Sequence, residues 1–218
     1  MAPTDVKGLE RYARVLNAVE INSSFYRPHA TATYERWASR VPAGFRFSVK
    51  VPKTITHEKR LVGVAGLLDR FLDECSGLGS KRGVLLLQLP GSFEFKSGVV
   101  GRFLELLRRR DAGAIVCEPR HTTWYLPEAE ALLARHEVAL VAADPPRGTS
   151  ACRPGAWSGV VYYRLHGSPR CYFSPYQQPF LAAIATRIRE VNGQAWCIFD
   201  NTGSGAAFEN AVRLRELV

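Results

Sequence analysis

Seven short apolar runs, each separated from the next by a longer segment, constrain this sequence more than any other feature. They are VEINSSF (19–25), FRFSVKV (45–51), GVLLLQL (83–89), AIVCE (114–118), VALVAAD (138–144), VVYYRLH (160–166) and AWCIFD (195–200). Their near-continuous apolar character suits strands covered on both faces, as in parallel sheets. The segments between them carry helical spacing. Leu9, Tyr12, Ala13, Leu16 and Val19 share one face, as do Tyr34, Trp37, Ala38 and Val41, and then Leu68, Phe71, Leu72 and Cys75. Phe180, Ile184, Ile188 and Val191 form another stripe, Phe208, Ala211 and Val212 a further one, and Pro127 opens the helical stretch EAEALLARH. Residues 145–159 have no helical period and read as a loop. Such alternation predicts βα units with right-handed crossovers and a mainly parallel sheet, in one domain spanning 1–218. Seven strands fit an open doubly wound sheet or a (β/α) barrel, and 218 residues fall short of the roughly 250 typical of an eight-stranded barrel.

In both architectures, functional groups gather at the C-terminal ends of the strands. Here those ends are all polar. The first run carries Glu20 and Asn22, followed by Phe25 and Tyr26; the second carries Ser48 and Lys50, with His57 in the loop beyond. The third ends in Gln88, the fourth in Glu118, Arg120 and His121, and the fifth in Asp144. The sixth holds Arg164 and His166, and the seventh ends in Asp200 and Asn201. Several of these charges sit among apolar neighbours: Lys50 lies between two valines and Arg164 between Tyr163 and Leu165. A buried charge is costly unless paired, so these groups are expected to converge on one shared site.

The formal net charge of +9 favours anionic partners: phosphorylated metabolites, nucleotides or nucleic acid. Lys50, Glu118 and His166 are the candidates for proton transfer. An amine in an apolar strand has a lowered pKa, a carboxylate beside an arginine stays ionised, and histidine changes charge near neutral pH. Arg120 and Arg164 suit bidentate grip of a phosphate or carboxylate. In NTGSGAA, Gly203 and Gly205 stand between the last strand and a helix, where backbone N–H groups can form an anion nest. The expected substrate contacts are therefore Glu20, Asn22, Tyr26, Gln88, Arg120, His121, Trp124, Asp144, Arg164, Asp200, Asn201, Gly203 and Gly205.

Other chemistries have less in their favour. There is no G-x-S-x-G elbow, no Walker loop and no convincing dinucleotide fingerprint. No H-E-x-x-H spacing exists, so no cofactor is predicted, although the acids and imidazoles are compatible with a single Mg²⁺ or Mn²⁺. The rival reading is nucleic-acid binding, with Tyr26, Trp124, Tyr172, Phe173 and Tyr176 stacking bases beside basic residues. The five cysteines are scattered without a C-x-x-C pair and read as reduced thiols. No run approaches the ~18 apolar residues of a membrane span, and the first residues lack a signal-peptide core, so a cytoplasmic protein without a membrane partner is expected. The sequon at Asn22-Ser23-Ser24 then reads as chance.

VEINSSFYR, FRFSVKVPKTITHEKRL, LLLQLPGSF, EPRHTTW, YYRLHG and FDNTGSGAAFENA, in this order, resemble the DUF72 family, also called YecE-like proteins. The resemblance runs from about residue 19 to the C-terminus. It implies a TIM-barrel-like fold, likened to that of metal-dependent endonucleases of the endonuclease IV type, and no established activity. Two departures stand out. The family usually begins with a glycine-rich strand of the GTSGW kind, and no such run precedes the helix holding Tyr12 and Leu16. The barrel is then expected to be open at that position, or filled there by another segment or chain. The family's last strand ends in two asparagines; here Asp200 and Asn201 stand instead, adding a negative charge.

Overall fold

A computed structural model describes residues 6–146 and 153–218. Helix Val6–Ala13 (α1) leads into strand Ala18–Ile21 (β1). A single turn, Ser23–Tyr26 (α2), and helix Thr31–Ser39 (α3) join it to Arg46–Lys50 (β2). Ala65–Cys75 (α4) precedes Arg82–Gln88 (β3), Ser97–Arg108 (α5) precedes Ala114–Glu118 (β4), and Pro127–Arg135 (α6) precedes Val138–Leu140 (β5). Ala142–Asp144 (β6), Gly155–Ala156 (β7) and Val160–Leu165 (β8) follow, then Gln178–Arg189 (α7), Gln194–Phe199 (β9) and Ala206–Leu217 (α8).

Local chemistry explains these boundaries. In α5 the buried residues are Val100, Phe103, Leu104 and Leu107, the stripe a helix presents to a sheet. Pro127 occupies the first turn of α6 with Glu128 and Glu130, and Arg135 lies in its last turn, so both ends complement the helix dipole. The first predicted strand is shorter than its apolar run. Ser24 Oγ donates to Ile21 O (3.1 Å) and lies 2.7 Å from Lys50 O, drawing the chain into α2 instead of continuing the ladder.

β1, β2, β3, β4 and β5 pair in parallel in that order, with the two-residue β7 antiparallel on β5; β6, β8 and β9 form a second parallel ladder. Only Val141 separates β5 from β6, and its N–H donates to Cys117 O at 2.9 Å, so the main chain carries the sheet across the break. The predicted run 138–144 is therefore two strands. The predicted loop 145–159 contains β7 at its far end, and its residues 147–152 lie outside the described residues.

The sheet rolls onto itself. Tyr162 on β8 donates its hydroxyl to Glu20 Oε2 on β1 at 2.8 Å and meets Ser48 Oγ on β2 at 2.8 Å, although these strands are far apart in the sheet order. Val84, Leu86, Val116, Ala139, Val141, Tyr162 and Trp196 pack together inside the roll. The alternate residues Leu85, Leu87, Ile115, Cys117 and Leu140 pack under the helices, as the two-residue strand period requires. Among the described residues β1 pairs with β2 alone and β9 with β8 alone, so the roll is not closed. A cavity of about 830 Å³ lies between these two edges, lined by both strands, by Tyr12 of α1 and by Phe208 and Leu214 of α8. No helix among the described residues is long and apolar enough to cross a membrane. Cys75 and Cys117 are buried thiols, and Cys152 lies outside the described residues.

Candidate functional site

Tyr162 and Arg164 alternate inward along β8, and His166 continues the same parity just past its end. Arg164 is 2% exposed, and its guanidinium gathers carboxylates from three directions. Nη2 lies 2.8 Å from Glu20 Oε1 and 2.9 Å from Asp200 Oδ2, Nη1 lies 3.1 Å from Glu118 Oε2, and Nε reaches both Glu20 oxygens at 3.1 Å. A buried charge is stable only when so paired. Burial alone would raise the Glu118 pKa, but Arg164, His166 and Arg120 outweigh it and hold this carboxyl well below the usual carboxylate range. Asp200 is lowered in the same balance, burial opposing the His166 hydrogen bond and the Arg164, His166 and Lys50 charges. Both stay ionised. Arg164 is itself pushed well above its ordinary value, burial being overcome by Glu20, Glu118 and Asp200.

His166 sits within this network, 1% exposed. Its Nδ1 lies 3.1 Å from Asp200 Oδ2, and its Nε2 lies 2.9 Å from Glu118 Oε1. The same Nε2 is 3.1 Å from Arg120 Nη2 and 3.3 Å from Arg164 Nη1. Either a donor or an acceptor role at Nε2 therefore finds a partner.

Two further cations stand at the rim with donors to spare. Arg120 Nη2 lies 2.7 Å from Glu118 Oε1, while its Nε is enclosed without a hydrogen-bond partner among the described residues. Lys50 shares the inward parity of Ser48; its Nζ lies 4.2 Å from the Phe25 ring centroid and makes no hydrogen bond or ion pair among the described residues. Burial, and then the positive charge of Arg164, lower its pKa to about 8 against the opposing pull of Glu20, Glu118 and Asp200. His57 lies on the π-helical turn Thr54–Glu58, its ring 4.9 Å from that of Phe25. Its pKa is lowered by burial and by the charges of Lys50 and Arg120, which places both cations close to the imidazole.

The structure thus brings Glu20, Lys50, Glu118, Arg120, Arg164, His166 and Asp200 together. Gln88 ends β3 in register with Glu118 and is half-buried. Asn22 borders the open cavity, with its Oδ1 enclosed and unpartnered. Tyr26 is 70% exposed beside Phe25.

Six expected contacts are corrected. Trp124 is fully buried and donates its Nε1–H to Phe93 O at 2.7 Å, so it is a core anchor. His121 accepts from Thr123 N at 3.3 Å and caps the 3₁₀ turn Thr122–Tyr125. Asp144 points to the helix side of the sheet, where it accepts from the Tyr176 hydroxyl at 2.7 Å. Asn201 is fully buried, its Nδ2 donating to Ser174 O and Asn210 Oδ1 at 3.0 Å each. Gly203 and Gly205 do not form a free anion nest, because their N–H groups donate to Tyr172 O (2.8 Å) and Thr202 O (3.1 Å). Gly203 is needed for packing: a Cβ there would lie 2.9 Å from both Phe173 and Tyr172 O. Tyr176, a proposed base-stacking residue, is buried as well.

Tyr162 and His57 belong to the site yet stand outside the expected set. Tyr162 has the parity of Arg164 and His166, which was a usable signal; His57 follows the second strand in the sequence, and the π turn places its ring against that of Phe25. Among the described residues no group of three His, Cys, Asp or Glu side chains is arranged to hold a metal ion. The Arg164 guanidinium occupies the place among the carboxylates that a cation would take.

Fold and site together define a class: a parallel α/β protein whose rolled, unclosed sheet holds a charged cluster at its C-terminal strand ends. The chain belongs to the family described as Protein of unknown function DUF72, whose model matches residues 2–218. It is 36% identical over 88 residues to the UPF0759 protein YecE of Escherichia coli (strain K12). That stretch is 40% of this chain and 32% of YecE, so the match spans about a third of that relative's length. Among solved structures it resembles a DUF72 family protein from Enterococcus faecalis V583, with TM-score 0.83 and 21% identity over 96% of this chain and 87% of that one. It also resembles one from Thermotoga maritima MSB8, with TM-score 0.79 and 23% identity over 97% and 89%. At these identities the likeness speaks for the fold alone.

Proposed function

We propose that the chain is a TIM-barrel-like enzyme that binds a phosphorylated or otherwise anionic small molecule at its C-terminal rim and transforms it by acid–base chemistry. One contrast supports this reading. The three carboxylates of the cluster are tied to Arg164, whereas among the described residues Arg120 Nη1 and Lys50 Nζ have no hydrogen-bond partner and are not enclosed. An anion entering the rim meets unsatisfied positive charge at Lys50 Nζ and at Arg120 Nη1, a charge-assisted donor for phosphate or carboxylate. His166 and Lys50 are the groups placed to move protons: His166 exchanges donor and acceptor roles at Nε2 without losing a partner, and Lys50 holds a weakened proton. Glu118, held ionised chiefly by Arg164 and by its hydrogen bond to His166, acts as the positioning residue for His166 and Arg120.

The nucleic-acid reading keeps one observation. Tyr172 and Phe173 are exposed, and the Arg170 guanidinium lies 4.1 Å from the Phe173 ring centroid, a stacking platform beside the rim. With Trp124 and Tyr176 buried, that platform is smaller than the sequence suggests, which favours the small molecule. Binding of inorganic phosphate, ribose 5-phosphate and citrate, compared with that of single-stranded RNA and DNA at about 50 and about 200 mM salt, separates the two. The enzyme reading expects small-anion binding and at most weak oligonucleotide binding. Tight oligonucleotide binding that falls steeply with salt, without small-anion binding, would replace it.

A further inference from the structure

Lys50 is the group in the cluster whose surroundings are least explained by stabilisation. Every carboxylate near it, from Glu20 on β1, Glu118 on β4 and Asp200 after β9, already lies within 3.1 Å of Arg164. The side chain lies against the Phe25 ring of α2, with Arg164 as its neighbouring cation, and the charges of Lys50 and Arg120 both act on the His57 imidazole of the π turn. The residue is buried and Nζ has no hydrogen-bond partner among the described residues, yet Nζ is not among the enclosed unpartnered polar atoms, so it keeps access to the rim. A lone amine with an aromatic wall, no carboxylate of its own and a spare guanidinium nearby is arranged as a nucleophile.

We propose that Lys50 forms an imine with a small aldehyde or ketone that carries a phosphate or carboxylate, the anion being held by Arg120. This rests on the anion-binding reading above and names the substrate class for it. The neutral Nζ attacks the carbonyl carbon, and the carbonyl oxygen takes a proton to give a carbinolamine. Loss of that oxygen as water forms the C=N bond, so amine and carbonyl give imine and water with no change of oxidation state. His166 and solvent are the proton sources at the rim. The lowered Lys50 pKa, about 8, leaves a useful neutral fraction at physiological pH, unlike that of an exposed lysine.

The test is reductive trapping. The full chain is incubated with glycolaldehyde phosphate and cyanoborohydride near neutral pH, and the secondary amines are located by peptide mass mapping. The expected result is modification of Lys50 at least ~10-fold faster than of Lys53, Lys59, Lys81 or Lys96, because a desolvated amine of lowered pKa is the activated nucleophile. Lys50→Met and Lys50→Arg, checked for folding by circular dichroism, should both lose the fast adduct, and uncharged glycolaldehyde should lose much of the selectivity. Modification of Lys50 no faster than of the other lysines, or an unchanged adduct yield in Lys50→Met, overturns the proposal. Inorganic phosphate titrated into the same proteins separates the two claims. Phosphate binding without Lys50 selectivity removes the imine and keeps the anion site; Lys50 selectivity without phosphate binding removes the anion site and keeps the nucleophile.

Discussion

Arg164 on β8 and Glu20 on β1 are 144 residues apart in sequence and lie on different ladders of the sheet, yet Arg164 Nη2 and Glu20 Oε1 meet at 2.8 Å. Backbone pairing does not join β1 to β9, so this ion pair and the neighbouring Tyr162–Glu20 hydrogen bond link the two sides of the roll through its interior. The same cluster that forms the candidate site therefore also holds the sheet in its rolled shape.

Removing Arg164 leaves three buried or half-buried carboxylates without their shared partner. Arg164→Met is expected to destabilise the fold by about 3–5 kcal/mol, the cost of breaking a buried ion network on one side. Urea denaturation at neutral pH checks this, and a midpoint within error of the parent would contradict it.

Acid should dismantle the network in a defined window. Glu118 and Asp200 are depressed below their ordinary values of 4.5 and 3.8. Their contribution is complete above those ordinary values and is lost as pH falls from there through the lower folded ones. The groups that face them, Arg164, His166, Arg120 and Lys50, are cations or can become so, and they remain when the carboxylates titrate. Stability followed from pH 7 downward should hold until about pH 4.5 and then fall by up to ~1.4 kcal/mol per pH unit for each carboxylate. Glu118→Gln should flatten that slope; an equal slope would count against the assignment.

Lys50 should cost stability near neutrality. Its pKa is about 8 in the folded chain against 10.5 ordinarily, so between these values the unfolded chain binds more protons and stability rises with pH. Lys50→Met is therefore expected to be more stable by about 3 kcal/mol below pH 8, with the gain vanishing above about pH 10.5. Thermal unfolding of the two proteins across this range measures it. A residue that weakens the fold while facing the rim is what a site under functional demand would show.

The strand-and-helix alternation and the polar strand ends were legible because burial on both faces leaves a plain apolar signature and charges within such runs stand out. The expectation that Glu20, Glu118, Arg164 and His166 converge rested on polar strand ends and on the cost of burying unpaired charges. Trp124 and His121 looked functional because they follow Glu118 and Arg120 directly, but the chain leaves the strand at Pro119, and parity carries no information beyond it. Asp144 was misplaced for a related reason: the break at Val141 divides the run, and even-numbered positions beyond it face the helices. The glycines of NTGSGAA do enter a helix, yet the Gly203 N–H is taken by Tyr172 O of the 170–176 loop, a long-range contact with no local signature, and the Gly205 N–H closes a local turn on Thr202 O.

The open edges should be visible in amide exchange. Asn17 O accepts from Arg46 N, and Asp200 N donates to Leu165 O, so by alternation Glu20, Ala195 and Phe199 direct their N–H groups into the gap between β1 and β9. These amides are expected to exchange at least ~10-fold faster than those of Leu86 and Val116 in the middle of the ladder. Equal protection would mean that the gap is closed in solution.

The most direct test of the central claim is titration of inorganic phosphate into the parent protein and Arg120→Gln by calorimetry at low salt. The account predicts saturable binding to the parent and at least ~10-fold weaker binding to Arg120→Gln, the loss expected for one charge-assisted contact. Absence of binding to the parent, or equal affinity in the two proteins, would contradict an anion site at this rim.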